Sequence, residues 1–195
     1  MRKSNYSLSE TIYNIRCVIF TKLLFNKARL IRTPITIRGK KYIDFGKGLT
    51  TGTNCQIEVN GNHDEYCLSF GDCVNIGHNV RIQCYEKISI GNHVLMGSRI
   101  TIIDHSHGSY DGEFQDPPTT HPNDRELKSN SIEIGDNVWI GDGVIIQAGV
   151  SIGKGCIIGA NSVVTKSVPD ECIVGVIPAH IIKRYNPETG KWDRF

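Results

Sequence analysis

Long apolar runs are what this sequence most plainly lacks. No stretch reaches the ~18 apolar residues that a membrane-crossing helix needs, so no transmembrane anchor is expected. A dominant charge is missing too. Among 195 residues, 22 Lys and Arg stand against 20 Asp and Glu, a formal net charge of +2. So mild a balance gives nucleic acid nothing to hold. Seven cysteines are present, at 17, 55, 67, 73, 84, 156 and 172, but none are paired as C-x-x-C and their number is odd. With no signal-peptide pattern ahead of them, they read as reduced thiols of a cytoplasmic protein, behaving as small hydrophobes. Glycine, by contrast, is plentiful at 20 residues. That argues for many turns and for β structure.

The glycines have a rhythm. Bulky apolar residues precede glycine at Phe70, Ile76, Ile90 and Met96, and again at Ile134, Ile140, Ile152 and Ile158. In the second block Ile134, Ile140, Ile146, Ile152, Ile158 and Val164 recur every sixth residue. Four residues after each come Val138, Val144, Val150, Cys156, Ser162 and Val168. A helix of period 3.6 cannot keep residues six apart on one face, and a long strand alternates in twos. Period six predicts a solenoid of flat faces, each one hexapeptide long. Three hexapeptides close a triangular coil, and coils stack about 4.8 Å apart through parallel β hydrogen bonds. The repeat covers 68–103 and 132–168, with a weaker start at Ile35-Thr36-Ile37 and Ile43-Asp44-Phe45-Gly46.

Three segments depart from the period. Residues 9–31 predict a helix with Ser9 as its N-cap and Ile12, Ile15, Ile19 and Leu23 on one face. That face is expected to pack on the solenoid's end or on a neighbouring subunit. An interfacial helix lying on a membrane is the alternative, supported by Arg16, Lys22, Lys27, Arg29 and Arg32. Between Ile103 and Ser131 the rhythm fails in a polar, proline-containing loop, and a loop of that length usually serves function or is disordered. Pro169 stops the coil, and a strand is expected to lead into a basic tail covering the sheet edge. The division is then a helical segment 1–33, a β-helix 34–168 with loop 104–131, and a tail 169–195.

The loop opens on Asp104-His105-Ser106-His107-Gly108. A histidine there suits proton abstraction from an alcohol, a poor nucleophile while protonated. Counting hexapeptides from Ile90 through Met96 to Ile102 puts His107 at the coil's exit. His105 has the same strand parity, so parity leaves both open as the base. Asp104 either orients a histidine or caps the turn. His121 reads as a surface residue, with the alternative that the loop carries it to a neighbouring site. Tyr110 and Phe114 suit stacking on a sugar or pinning the loop, and His63, His78, His93 and His180 read as structural. Asp104, His105 and His107 also form a ligand-like cluster that raises zinc.

The repeat, with FGKG (45–48), DHSHG (104–108), IGDNVWIGDGVIIQAGVSIG (134–153), IGANSVVTKSVP (158–169) and GVIPAHIIKRYN (175–186), resembles the hexapeptide-repeat acyltransferases. Within them it looks most like bacterial sugar O-acetyltransferases that modify O-antigen or capsular polysaccharide. The resemblance implies an all-β fold, a left-handed parallel β-helix with an N-terminal helix, an inserted loop and a short C-terminal strand or helix tail. It implies a homotrimer, with acetyl-CoA in the groove between subunits and Trp139 near the acetyl group. The remaining cofactor positions it implies are Gly141, Asp142, Ala160, Thr165, Lys166, His180 and Lys183. Relatives often carry Ser where this chain has Asp142, and Arg where it has His180. Asn79 and Tyr110 are the implied acceptor contacts, and a backbone N–H near Gly141 or Trp139 is expected to steady the oxyanion. The γ-class carbonic anhydrases share this solenoid, but two of their zinc histidines are five apart. Here the spacing is two, so no metal is expected.

The expected activity is therefore acetyl-CoA-dependent O-acetylation of a saccharide, free or lipid-linked, by direct transfer. The cytoplasm is the expected location, with the inner membrane face as the alternative. N-acetylation of an amino sugar and a non-catalytic β-helix scaffold are the rival readings. Serine O-acetylation fits less well, since it calls for a large helical N-terminal domain.

Overall fold

The computed structural model describes residues 6–61 and 63–194. The sixfold period folds into three sheets around one apolar interior. The first face stacks Ile35–Arg38, Cys55–Val59, Arg81–Cys84, Thr101–Ile103, Ile145–Ile146 and Val163–Val164. The second stacks Ile43–Asp44, Leu68–Phe70, Ile88–Ile90, Ile132–Ile134 and Ser151–Ile152. The third begins Thr50–Thr51, Asn75–Ile76, Leu95–Met96, Trp139–Ile140 and Ile157–Ile158. The chain visits the faces in that order, and each strand pairs in parallel with its counterpart one coil away.

Both apolar positions of the hexapeptide lie inside. Ile134, Ile140, Ile146, Ile152, Ile158 and Val164 are buried, and so are Val138, Val144, Val150, Cys156 and Val168. Ser162 takes the same place because its hydroxyl donates to the Gly159 carbonyl at 2.7 Å. The glycines answer to rung spacing. A Cβ on Gly77 would fall 2.2 Å from the carbonyl oxygen of Gly97 in the next coil.

Two of the three corners are closed by side-chain ladders. At the third-to-first corner, the Thr53 N–H donates to His78 Nδ1, the His78 N–H to Ser98 Oγ and the Ser98 N–H to Asp142 Oδ1. At the second-to-third corner, the N–H groups of Lys47, Asp72 and Asn92 donate in turn to Asp72, Asn92 and Asp136. Asn54, Asn79, Asn137 and Asn161 turn these corners with φ of 57–58°, a conformation asparagine tolerates.

The first-to-second corner is different, and every irregularity in coil length emerges there. From Ile146 to Ile152 the chain needs 6 residues to reach the matching position on the second face. It takes 8 from Ile82 to Ile90, 13 from Ile57 to Phe70 and 32 from Ile102 to Ile134.

At the N-terminal end the structure corrects the expected cap. The helix runs Leu8–Leu24 and its cap is Ser7, which forms a capping box with Glu10. Ser9 has Ile12 three residues on and cannot do this. Ile12, Ile15, Ile19 and Leu23 are 53–78% exposed and so do not pack on this chain's own solenoid. The opposite face docks instead, through buried Cys17 and Thr21. The Thr21 hydroxyl accepts the Ile31 N–H at 2.8 Å, and the Tyr13 hydroxyl donates to the Thr33 carbonyl. Those polar ties fix which side of the helix turns inward. At the other end Cys172–Gly175 adds a parallel strand to the third face, and His180–Asn186 and Lys191–Arg194 extend it antiparallel. The tail is a sheet extension, with no helix among its described residues. No helix of the described residues is long and apolar enough to cross a membrane. Six cysteines are buried and Cys73 is exposed; all seven are free.

Candidate active site

At the open corner, after Thr101–Ile103, the chain leaves the coil as a two-stranded arm. His105–His107 pairs antiparallel with Leu127–Ser129. The anchor of the arm is Asp104, fully buried. Its carboxylate accepts the N–H of Tyr85 at 2.8 Å, of Glu86 at 2.8 Å and of Lys87 at 3.0 Å. Three successive N–H groups make a concave nest for an anion, so this buried charge is paired on every side. The irregularity at 84–87 builds that nest. Sequence periodicity marked the irregularity without revealing its purpose.

Asp104 also accepts from His105 Nδ1 at 2.9 Å. The carboxylate fixes the proton on Nδ1 and leaves the Nε2 lone pair free. The His105 side chain is only 12% exposed and its ring tilts against Tyr85, centroids 5.7 Å apart. Two residues on, His107 lies on the same face of the arm, exposed. Its side chain has no hydrogen bond among the described residues.

Tyr110 is tied down as well as exposed. Its hydroxyl donates to the His107 carbonyl and accepts from Arg125 Nη1 at 2.7 Å. Arg125 is a residue the sequence did not single out. Phe114 is 82% exposed, and His121 caps the short turn Pro122–Asp124 on the arm's surface. No cluster of three metal-ligating side chains is present among the described residues.

The other candidates divide into two groups. Strand register aligns Trp139 with Ile157, Ile173 and Lys183 in one outward column of the third face. Gly141, Asp142 and Ala160 lie at the corner leading to the first face, and His180 pairs with Gly175 beside them. Asp142 has a structural task there, accepting from the Ser98 N–H at 2.8 Å and from Arg99 Nη2 at 3.4 Å. One rung further the ladder stops, because Ala160 offers no acceptor. The Asp142 N–H is left without a partner among the described residues. Thr165 and Lys166 sit across the first face at the open corner, both exposed. Asn79 is at the far end of the first face from the arm, so a single chain does not bring it to His107.

A β-helix of hexapeptides, opened once by a histidine-bearing arm, is the plan of a known family of transferases. The signature "Bacterial transferase hexapeptide (six repeats)" matches residues 131–166, and the chain belongs to that family, with its left-handed coil. WbbJ of Escherichia coli strain K12, which bears the name of a lipopolysaccharide biosynthesis O-acetyl transferase, is 36% identical over 192 residues, covering 97% of this chain and 95% of WbbJ. The galactoside O-acetyltransferase of the same organism is 31% identical over 149 residues, covering 70% of this chain and 64% of that one. Among solved structures, the hexapeptide-repeat acetyltransferase VCA0836 of Vibrio cholerae, complexed with acetyl coenzyme A, superposes with a TM-score of 0.57 at 26% identity, over 93% of this chain and 81% of that one. Like these relatives, the protein is an enzyme of acetyl transfer.

Proposed function

We propose that the protein carries an acetyl group from acetyl-CoA to a hydroxyl of a saccharide, in the building of a cell-surface polysaccharide, with His107 as the base. The observation that carries this is an accessible imidazole on an arm whose root is held rigidly by buried Asp104. The names of the E. coli relatives support the acceptor class. His107 removes the hydroxyl proton, the oxygen attacks the thioester carbonyl, and the C–S bond breaks. The departing thiolate takes the proton back from the imidazolium, giving CoA thiol and the acetyl ester. The unpartnered Asp142 N–H is the donor suited to the oxyanion.

Trp139, Gly141, Ala160, His180 and Lys183 would line the thioester substrate, with Lys166 and Thr165 at the open corner. His107 and Trp139 stand on different faces of one coil, so the site closes between neighbouring subunits of a trimer. Leu95, Trp139, Ile145, Val176 and Ile177, all exposed by 40% or more, are apolar surface for that contact. Asn79 reaches an acceptor only across such a boundary, whereas Tyr110 flanks it from the arm. A cytoplasmic enzyme resting its exposed helix face on the membrane, with Arg16 and Lys22 beside it, suits a lipid-linked acceptor.

One geometric fact favours a second reading, with His105 as the base: Asp104 orients it. Acetyl-CoA and a saccharide panel, with NMR of the product, test both. His107→Ala should lower kcat by roughly 10²–10⁴-fold with the thioester's affinity unchanged. A normal His107→Ala beside a dead His105→Ala moves the base to His105. Acetyl on nitrogen rather than oxygen refutes the acceptor chemistry.

A further inference from the structure

The open corner has a hollow above the histidine arm. It lies between the first two rungs, has a volume of about 640 Å³ and is lined by Lys41, Tyr42, His63, Asp64, Glu65 and Tyr66. Tyr66 presents its ring to solvent, 62% exposed, with the exposed carboxylates of Asp64 and Glu65 beside it. An aromatic face with adjoining carboxylates is what a sugar needs, since its C–H face stacks on a ring and its hydroxyls donate to carboxylate oxygens.

Aromatic and imidazole side chains on successive rungs mark the way from the hollow to the arm. The Tyr42 and His63 rings meet edge to face at 5.2 Å. A Cβ built on Gly61 would lie 3.3 Å from the His63 ring and 4.0 Å from the Tyr85 ring. Tyr85 in turn rests on His105, at 5.7 Å. The corner therefore offers sugar-binding chemistry from the second rung to the fourth, a rise of ~10 Å at one strand spacing per coil. That exceeds one sugar ring.

We propose that this hollow is a remote saccharide subsite, and that the enzyme's acceptor is an oligosaccharide lying along the open corner rather than a single sugar. This rests on the saccharide reading above and specifies the length of the acceptor. Binding energy collected at Tyr66, away from the reacting hydroxyl, would position the chain over the arm.

The test uses methyl β-galactoside and β-linked galacto-oligosaccharides of two to four units with acetyl-CoA. Wild type should gain about tenfold in kcat/KM from one unit to four. Tyr66→Ala and Glu65→Gln should erase that gain through KM, leaving kcat and the single-unit rate unchanged. Both side chains are exposed, so melting temperatures should match wild type. Equal kcat/KM at every length, or a length gain that survives Tyr66→Ala, overturns the subsite alone. No transfer to any of these saccharides overturns both this proposal and the function on which it rests.

Discussion

The laddered corners and the open corner are made of the same coil, and they differ in what holds one rung to the next. Along the laddered corners, from Thr53 to Asp142 and from Lys47 to Asp136, a backbone N–H meets the side chain of the following coil, so an extra residue on one rung would unseat a bond on two. Those corners keep strict count. At the open corner the rungs are tied less uniformly, and the chain can leave, run 26 residues further than the 6 from Ile146 to Ile152, and return in register. Departures from the sixfold count are thereby confined to one edge of the triangle. A single carboxylate at the open corner, Asp104, does the tying that a row of side chains does elsewhere.

Asp104→Ala should show the largest effect. It strips acceptors from three adjacent N–H groups around a buried site and frees His105. The expected loss is ~3–5 kcal/mol, read by chemical denaturation, together with loss of acetyl transfer. If the variant stays stable and active, the arm is held some other way. Gly77→Ala tests the laddered side, because its Cβ would press a backbone oxygen that cannot swing aside. About 2–3 kcal/mol is expected, with acceptor affinity intact.

Asp136→Asn should cost least, since that carboxylate is exposed and serves one rung. Hydrogen bonds from the Asn92 N–H, and then from its side-chain amide, hold the Asp136 carboxyl below the usual carboxylate range. A lowered native pKa means the stabilisation is present at neutral pH and fades as pH falls through that lowered value. The melting temperatures of wild type and Asp136→Asn should converge in acid. A gap that persists or widens there would show the charge is not what matters.

Much of this was legible in the sequence, for a definite reason. Period six is a property of single residues along the chain, so the faces, the interior positions and the break after Ile103 could be read directly. The N–H nest that holds Asp104 could not, because those partners lie 17–19 residues earlier and meet it only through coil register. The same is true of Arg125, which finds Tyr110 across the arm. The side the N-terminal helix turns to its own solenoid was hidden for another reason. Its apolar stripe has the right spacing to be buried, yet Thr21 and Tyr13 bind the returning chain and turn Ile12, Ile15, Ile19 and Leu23 outward. Apolar period locates a stripe but not what it faces.

The hidden thiols give the molecule its own gauge of breathing. Burial raises the pKa of Cys55, Cys67, Cys84 and Cys156, so even a reagent that reached them would find few thiolates to attack. Cys73 alone is exposed. Cys55, Cys67 and Cys84 lie in the upper coils and Cys156 and Cys172 in the lower ones, so the order in which they become labelled is the order in which the solenoid comes apart. The chain thus carries a clock for its own unzipping.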